Sequence, residues 1–168
     1  MTQIEINFVN NKLQAIIGAR VAEVCRNHGD IWIDFMDELE VHYILLMQTL
    51  FRFYDNEKIL ITDTDKYRPS YGELKNPVFD EESFDWDNPG VNKFDEWNDT
   101  YSSMLKKLVV KEVNFNLFGD LTICFQNDVF LEVYLEVTND EECWRFFEKE
   151  ADDRGDIIVL GNTIIYDA

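Results

Sequence analysis

Cysteine, histidine, proline and glycine are all scarce in this chain. Its 168 residues include three cysteines, two histidines, three prolines and seven glycines. Cys25, Cys124 and Cys143 are odd in number and widely spaced, which suits neither a disulfide framework nor paired zinc ligands. Reduced, buried thiols are therefore expected.

The motifs of common catalytic sites are also missing. The sequence has no Gly-x-Ser-x-Gly turn, no glycine run for a phosphate and no His-Glu-x-x-His helix. Cys25 and His28 are three residues apart, as a nucleophile and its base can be, but a buried thiol beside a turn residue is the simpler interpretation. Among 34 acids some carboxylates must be neighbours, so a carboxylate enzyme acting on a small molecule stays as an alternative. An enzyme is the less favoured class.

Positive charge and long apolar runs are scarce as well. Only 15 Lys and Arg stand against 34 Asp and Glu, for a net charge of −19. This charge repels nucleic-acid phosphates and anionic lipids and attracts a basic protein, although solubility explains it equally well. No apolar stretch approaches the roughly 18 residues that cross a membrane, and the first residues lack a basic start before an apolar run. We expect a cytosolic protein that binds neither nucleic acid nor membranes.

What is abundant is material for one core. Apolar residues make up 46% of the chain and aromatic residues 14%. The length is that of a single domain, predicted to span residues 1–168.

The chain also matches itself at an offset of about 90 positions. The sequence GDIWIDF at 29–35 matches GDLTICF at 119–125. Without a gap, the following apolar residues Leu39, Val41, Tyr43 and Leu45 fall on Val129, Leu131, Val133 and Leu135. Alternation with period two is typical of half-buried strands, so the repeats, about 16–66 and 108–166, are predicted to be antiparallel hairpins. The alternative is two unrelated hairpins that share only the alternation.

Further along, the two copies match again after a shift of three residues. FRFYD at 51–55 resembles WRFFE at 144–148. Arg52 and Arg145 occupy the matching position, and each is expected to form a structural salt bridge.

Two local patterns predict structure outside the hairpins. Thr138 with Glu141 is a capping-box pattern that predicts a helix over about 139–150, within the second repeat. Near the N-terminus, Ile4, Ile6 and Phe8 alternate like an additional strand.

A connector of about 67–107 separates the copies and contains all three prolines. It begins as a loop. From Asn92, a good N-cap, apolar residues recur at three- and four-residue spacing, which predicts a helix over about 93–107. The fold class expected is therefore α+β.

The connector alternates acids with aromatic residues, and this pattern makes it the main candidate for a partner-binding surface. Carboxylates can meet Lys and Arg of a partner while aromatic anchors supply buried area. Alternatively, the aromatics pin the connector to the core and the acids only face water. The partner-binding candidates are Asp80, Glu81, Glu82, Asp85, Trp86, Asp87, Asp95, Trp97 and Asp99.

Part of the connector has the spacing of a calcium loop. Over 85–96, acids stand at positions one and three, Gly at six and Glu at twelve, although Pro89 takes the fifth position. A site for calcium or another divalent cation is the alternative function, and no other cofactor is expected. Its predicted ligands are Asp85, Asp87, Asn92 and Glu96.

Several segments together resemble a loosely defined group of uncharacterised bacterial proteins. They are IIGARV, GDIWIDF, LFRFYDNEKILITDTDKYRP, DWDNPGVNKFD, GDLTICF and ECWRFF. This resemblance implies a bacterial single-domain protein and assigns no activity. In size, acidity and lack of a catalytic motif, the chain also resembles immunity proteins of polymorphic toxins. The function expected is therefore an acidic protein-binding domain of the immunity or antitoxin kind, whose partner is a basic protein such as a toxin.

Overall fold

The computed structural model describes residues 1–151 and 155–166, and within them it has three α-helices and eleven β-strands. The helices are α1 (Gln3–Leu13), α2 (Tyr71–Leu74) and α3 (Lys93–Leu105). The strands are β1 (Arg20–Asn27), β2 (Asp30–Met36), β3 (His42–Met47), β4 (Phe51–Asp55), β5 (Ile59–Thr62), β6 (Val110–Phe115), β7 (Leu121–Phe125), β8 (Val129–Val133), β9 (Glu142–Glu148), β10 (Ile157–Leu160) and β11 (Ile164–Tyr166).

The strands form two antiparallel sheets around one apolar core. The six-stranded sheet has the order β1-β2-β3-β9-β10-β11, and the five-stranded sheet has the order β5-β4-β8-β7-β6. Phe53 of β4 stacks on Phe125 of β7, and Phe115 of β6 meets Trp144 of β9 edge to face. Buried residues of both sheets and of α1 and α3 belong to one cluster. The α+β class predicted from the sequence is confirmed.

Strand pairing is the same in the two halves of the chain. Leu45 of β3 lies opposite Phe146 of β9, just as Leu131 of β8 lies opposite Phe53 of β4. The counterpart of Leu45 is thus Leu131 and not Leu135, so the ungapped sequence alignment is wrong beyond the first strand of each hairpin. The second hairpin is four residues shorter than the first, because its turn is tighter. Residues 152–154 of the predicted second repeat lie outside the described residues.

The correspondence extends to the strands and helices that precede each hairpin. Both β1 and β6 contain a bulge at the equivalent position, after Val21 and after Val110. Helix α1 leads into β1 and α3 leads into β6. Asn10 of α1 hydrogen-bonds the backbone of Phe115 in β6, and Asn98 of α3 donates to the carbonyl of Val24 in β1. Each helix therefore packs on the first strand of the other copy.

The strand predicted at the N-terminus is wrong, since residues 3–13 form helix α1. Thr2 caps this helix, accepting from the backbone N–H of Glu5 while the Glu5 carboxylate accepts from Thr2. Ile6, Val9 and Leu13 are buried at helical spacing, whereas Ile4 is 78% exposed. An alternation of only three apolar residues is compatible with both a strand and a helix, so it did not distinguish between them.

The helix predicted over 139–150 is also wrong, because this segment contains strand β9. Backbone pairing with β3 on one side and β10 on the other satisfies its N–H and C=O groups. Trp144 and Phe146, two residues apart, both point into the core. Tertiary pairing therefore outweighs the local capping pattern.

The helix predicted after the connector is confirmed as α3. The Asn92 side chain accepts from the backbone N–H of Asp95 at 2.9 Å, which is the expected N-cap. Phe94, Trp97 and Leu105 are its buried residues, and the helix ends two residues earlier than predicted. No helix in the described part of the chain is both long and apolar enough to cross a membrane.

Candidate functional site: the acidic connector

Arg26 of β1 fixes the connector to the six-stranded sheet. Its side chain is only 5% exposed. Nε and an Nη donate to the two carboxylate oxygens of Asp95 at 2.9 and 2.8 Å, and the other Nη donates to Asp87 at 3.1 Å. Such a two-point pair fixes orientation as well as distance. Both acids therefore serve to position the connector.

Backbone carbonyls complete the surroundings of the Arg26 guanidinium. It donates to the carbonyls of His28, Asp87 and Asn88 at 3.0, 3.3 and 3.5 Å. The ring of Trp86 lies 5.9 Å from the guanidinium carbon, in the range of a cation–π contact. Hydrogen bonds and charge from Asp95 and then Asp87 raise the pKa of Arg26. We call Arg26, Trp86, Asp87 and Asp95 the Arg26 cluster.

His28 adds a second contact between the connector and the β1–β2 turn. Its Nδ1 lies 2.5 Å from the carboxylate of Asp87. Hydrogen bonds from His28 and then Arg26 lower the pKa of Asp87. His28 is thus directed toward Asp87 and serves as a turn residue, in agreement with the simpler interpretation of the sequence.

The four predicted metal ligands are each engaged by protein groups. Asn92 donates to the Trp86 carbonyl and to Asp95 in addition to capping α3, and Glu96 accepts from the backbone N–H groups of residues 71 and 72. Asp85 accepts from the N–H of Asp87, which itself binds Arg26. Within residues 1–151 and 155–166, no three His, Cys, Asp or Glu side chains form a group suited to a metal ion. The calcium-loop spacing gains no support from this geometry.

The predicted partner-binding residues divide into two groups. Trp97 is buried in the core, and Trp86, Asp87 and Asp95 belong to the Arg26 cluster. The others are exposed, and in the described part of the chain none of them forms a salt bridge with Lys, Arg or His. These five are Asp80, Glu81, Glu82, Asp85 and Asp99.

Exposed apolar residues accompany these acids, and the sequence analysis missed them. Val78 is 82% exposed and Leu74 is 55% exposed. Val78 lines a hollow of about 180 Å³ together with Asp80 and Asp85. We call Leu74, Val78, Asp80, Glu81, Glu82 and Asp85 the acidic connector face. It joins carboxylates to apolar area on the part of the connector that leads directly into the residues held by Arg26.

A larger cleft of about 640 Å³ lies between β1 and the connector. Glu23 and Asp99 line it beside the Arg26 cluster. It extends the negative surface from the connector to the edge of the six-stranded sheet. Arg26 was the residue that sequence reasoning missed here; its only signal was that arginine is scarce in so acidic a chain.

Asp63 and Lys66 form a buried salt bridge. Burial raises the pKa of Asp63, and the Nζ of Lys66 lies 2.6 Å away and partly offsets the effect. Lys66 also donates to the Gly29 carbonyl. Elsewhere, Arg52 binds Glu132 and Arg145 binds Glu142, so each forms the predicted salt bridge. The partners of these charges favour structural roles.

All three cysteines are free thiols; Cys143 is buried, whereas Cys25 and Cys124 are half-buried rather than buried as expected. Burial, followed by the hydrogen bond and charge of Glu23, raises the pKa of Cys25 to about 11. The thiolate is the reactive form. Cys25 therefore lacks the activation of a catalytic nucleophile.

Alkylation of Cys25 is expected to be slow. With Cys124 and Cys143 changed to alanine, iodoacetamide at pH 8 should modify the folded chain about 100-fold more slowly than the urea-unfolded chain, because the thiolate population falls about tenfold per pKa unit. Mass spectrometry across pH 7–11 measures this rate. Glu23→Gln should accelerate it, since Glu23 is the next cause after burial. Equal rates in the folded and unfolded chains would contradict the assignment.

The chain matches no known family model, and no curated protein or solved structure is significantly similar to it.

Proposed function

We propose that this chain is an acidic protein-binding domain that receives a basic surface of another protein on its acidic connector face. The observation that carries the proposal is that some acids of the connector pair with Arg26 while others stay exposed. Asp87 and Asp95 neutralise Arg26 and fix the segment, while Asp80, Glu81, Glu82 and Asp85 stay exposed without a cationic partner among the described residues. A preformed surface loses less conformational entropy on binding than a flexible one.

The carboxylates and the apolar residues of the acidic connector face contribute differently to binding. Unpaired carboxylates accelerate the encounter with a basic partner and select against acidic proteins. Leu74 and Val78 supply area that binding removes from water. This combination suits an immunity or antitoxin protein that covers a basic toxin, which is the specific form of the proposal.

The test compares two variants with the same change in net charge. The first neutralises the face with Asp80→Asn, Glu81→Gln, Glu82→Gln and Asp85→Asn. The second neutralises four exposed acids outside the connector with Glu38→Gln, Glu57→Gln, Asp128→Asn and Asp140→Asn. Each chain is co-expressed with the product of the adjacent gene, and association is measured by biolayer interferometry.

The face variant should associate about tenfold more slowly than the unaltered chain, and the matched variant should change the rate by less than about twofold. Raising salt from about 50 to about 500 mM should slow association of the unaltered chain. Absence of a complex at low salt, or equal effects of the two variants, would count against the proposal.

A further inference from the structure

A recess of about 520 Å³ lies on the outer face of the six-stranded sheet. The strands β1, β2, β3 and β9 form its floor. Trp32, Leu46 and Phe147 line it with half-buried apolar surface, and Ile44 is buried beneath them. Its volume falls in the range of small-molecule sites. We call this cavity the sheet recess.

The equivalent face of the five-stranded sheet shows how the recess arises. There Glu132 of β8 lies opposite Arg52, and their salt bridge covers the strands together with Tyr54, which donates to Glu132 at 3.0 Å. In the six-stranded sheet the residue at the position of Glu132 is Leu46, opposite Arg145. Arg145 instead binds Glu142 of its own strand. The polar cover of one copy is thus replaced by open apolar surface in the other.

Carboxylates surround this apolar floor. Asp34 has a side chain only 6% exposed, held by Nδ1 of His42 at 2.6 Å and Nζ of Lys149 at 3.1 Å. Glu23 and Asp30 also line the recess, and in the described part of the chain neither forms a salt bridge with Lys or Arg. Among the lining residues that the structure describes, Lys149 alone supplies positive charge. The recess therefore has an excess of negative charge.

The titratable groups at the recess respond to that charge. Burial and then Glu23 raise the pKa of Cys25, and Asp34 is a further contributor in the same direction. Lys149 donates a hydrogen bond to Asp34, and this bond and the charge of Asp34 raise the pKa of Lys149. The contributions of Glu23 and Asp34 to both shifts have the sign of a negative local charge, which favours a cation over an anion.

We propose that the sheet recess binds a small organic cation with an apolar body, such as a protonated arylalkyl amine. The ammonium group lies near Glu23, which is opposite Asp34 at one end of the recess, while Asp30 adds negative charge at the other end. The apolar body covers Trp32, Leu46 and Phe147. An indole face attracts cations as well as apolar groups, so Trp32 contributes to both parts of the ligand. This inference does not depend on the proposed function, because the recess shares no residue with the acidic connector face.

The experiment uses phenethylamine as the probe, with 2-phenylethanol and 3-phenylpropionate as neutral and anionic analogues. Calorimetric titration at pH 7 should show saturable binding of the amine, with both analogues at least about tenfold weaker. Amide chemical-shift changes should concentrate on β1, β2, β3 and β9. Binding without saturation, similar affinity for the three compounds, or shifts located elsewhere would overturn the proposal.

Variants locate the two parts of the interaction. Glu23→Gln with Asp30→Asn should weaken amine binding about five- to tenfold, as expected for two partly exposed charges. Trp32→Ala should weaken it about fivefold or more. The matched control, Glu38→Gln with Glu57→Gln, alters two exposed acids outside the recess and should leave affinity unchanged. Thermal melting of each variant verifies folding.

Two further outcomes are decisive. Equal loss in the recess and control variants would reduce the effect to net charge and overturn the site. Binding of an arginine-rich peptide without binding of the free amine would also overturn it, in favour of a protein-docking surface.

Discussion

Arg26→Leu should lower the free energy of unfolding by about 3 kcal/mol and release the connector from the sheet. The substitution removes the guanidinium that pairs with Asp95 and Asp87, leaving, among the described residues, Asp95 without a cationic partner and Asp87 in contact with His28 alone. Breaking one side of a buried pair costs about 3–5 kcal/mol, and the partial exposure of Asp87 places this case at the lower end. The backbone carbonyls of the connector lose their donor as well.

Urea unfolding measures the loss of stability, and hydrogen exchange over residues 85–92 measures the release. Arg52→Leu is the matched control, because Arg52 forms a similar pair with Glu132 at a more exposed position and should cost no more than about 1 kcal/mol. Arg26→Lys keeps the charge but loses the two-point geometry. Its loss of stability should therefore lie between those of Arg26→Leu and Arg52→Leu. Unchanged exchange in Arg26→Leu would mean that other contacts hold the connector.

Trp144→Ala should lower the free energy of unfolding by about 4 kcal/mol. The indole is fully buried between the sheets and packs edge to face on Phe115 at 5.6 Å. Its Nε1 donates to the carbonyl of Gly119 at 3.3 Å. Truncation leaves a cavity and an unpaired carbonyl, and large-to-small changes of this kind cost about 3–5 kcal/mol.

The other copy of the fold supplies the control for this prediction. Phe51 occupies the position of Trp144, since it pairs with Val133 as Trp144 pairs with Met47. Trp144→Phe should therefore cost only about 1–2 kcal/mol, for the lost hydrogen bond and part of the ring. Chemical denaturation of both variants gives the comparison. Similar losses for Phe and Ala would show that the hydrogen bond, and not the packed volume, is decisive.

Local patterns in the sequence predicted those parts of the fold that depend on local physics. The pleat of a strand alternates side chains between two faces, so Ile31, Ile33 and Phe35 could be assigned to the core, where they lie. Asn92 predicted the start of α3 because an N-cap acts within three residues. Both signals are complete within a short window.

Two elements were predicted wrongly, one because its structure depends on distant strands and the other because a local cap was overlooked. Thr138 and Glu141 resemble a capping box, yet β3 and β10 recruit the following residues into β9. The alternation of Ile4, Ile6 and Phe8 suited a strand, but Thr2 and Glu5 form the cap of a helix. A capping box was thus misleading in one place and overlooked in the other.

The sequence indicated which residues make up the candidate site, but not which of them form salt bridges with each other. The sequence places the acids in the connector, but Arg26 lies 61 and 69 residues before its partners Asp87 and Asp95. Charge carries no periodicity that would select two acids among 34. The sheet recess was equally hidden, since it depends on the direction that Arg145 takes.

Helices α1 and α3, which each pack on the first strand of the other copy, help to protect the edges of the two sheets. The outermost strands of the two sheets are β1 and β11 in one and β5 and β6 in the other. Helices α3 and α1 hydrogen-bond β1 and β6, both of which are bulged, while β5 and β11 are only four and three residues long. Covered, bulged and short borders resist cross-β growth by addition of further chains. Protection from fibril formation is therefore built into the backbone, so a net charge of −19 is not required for it.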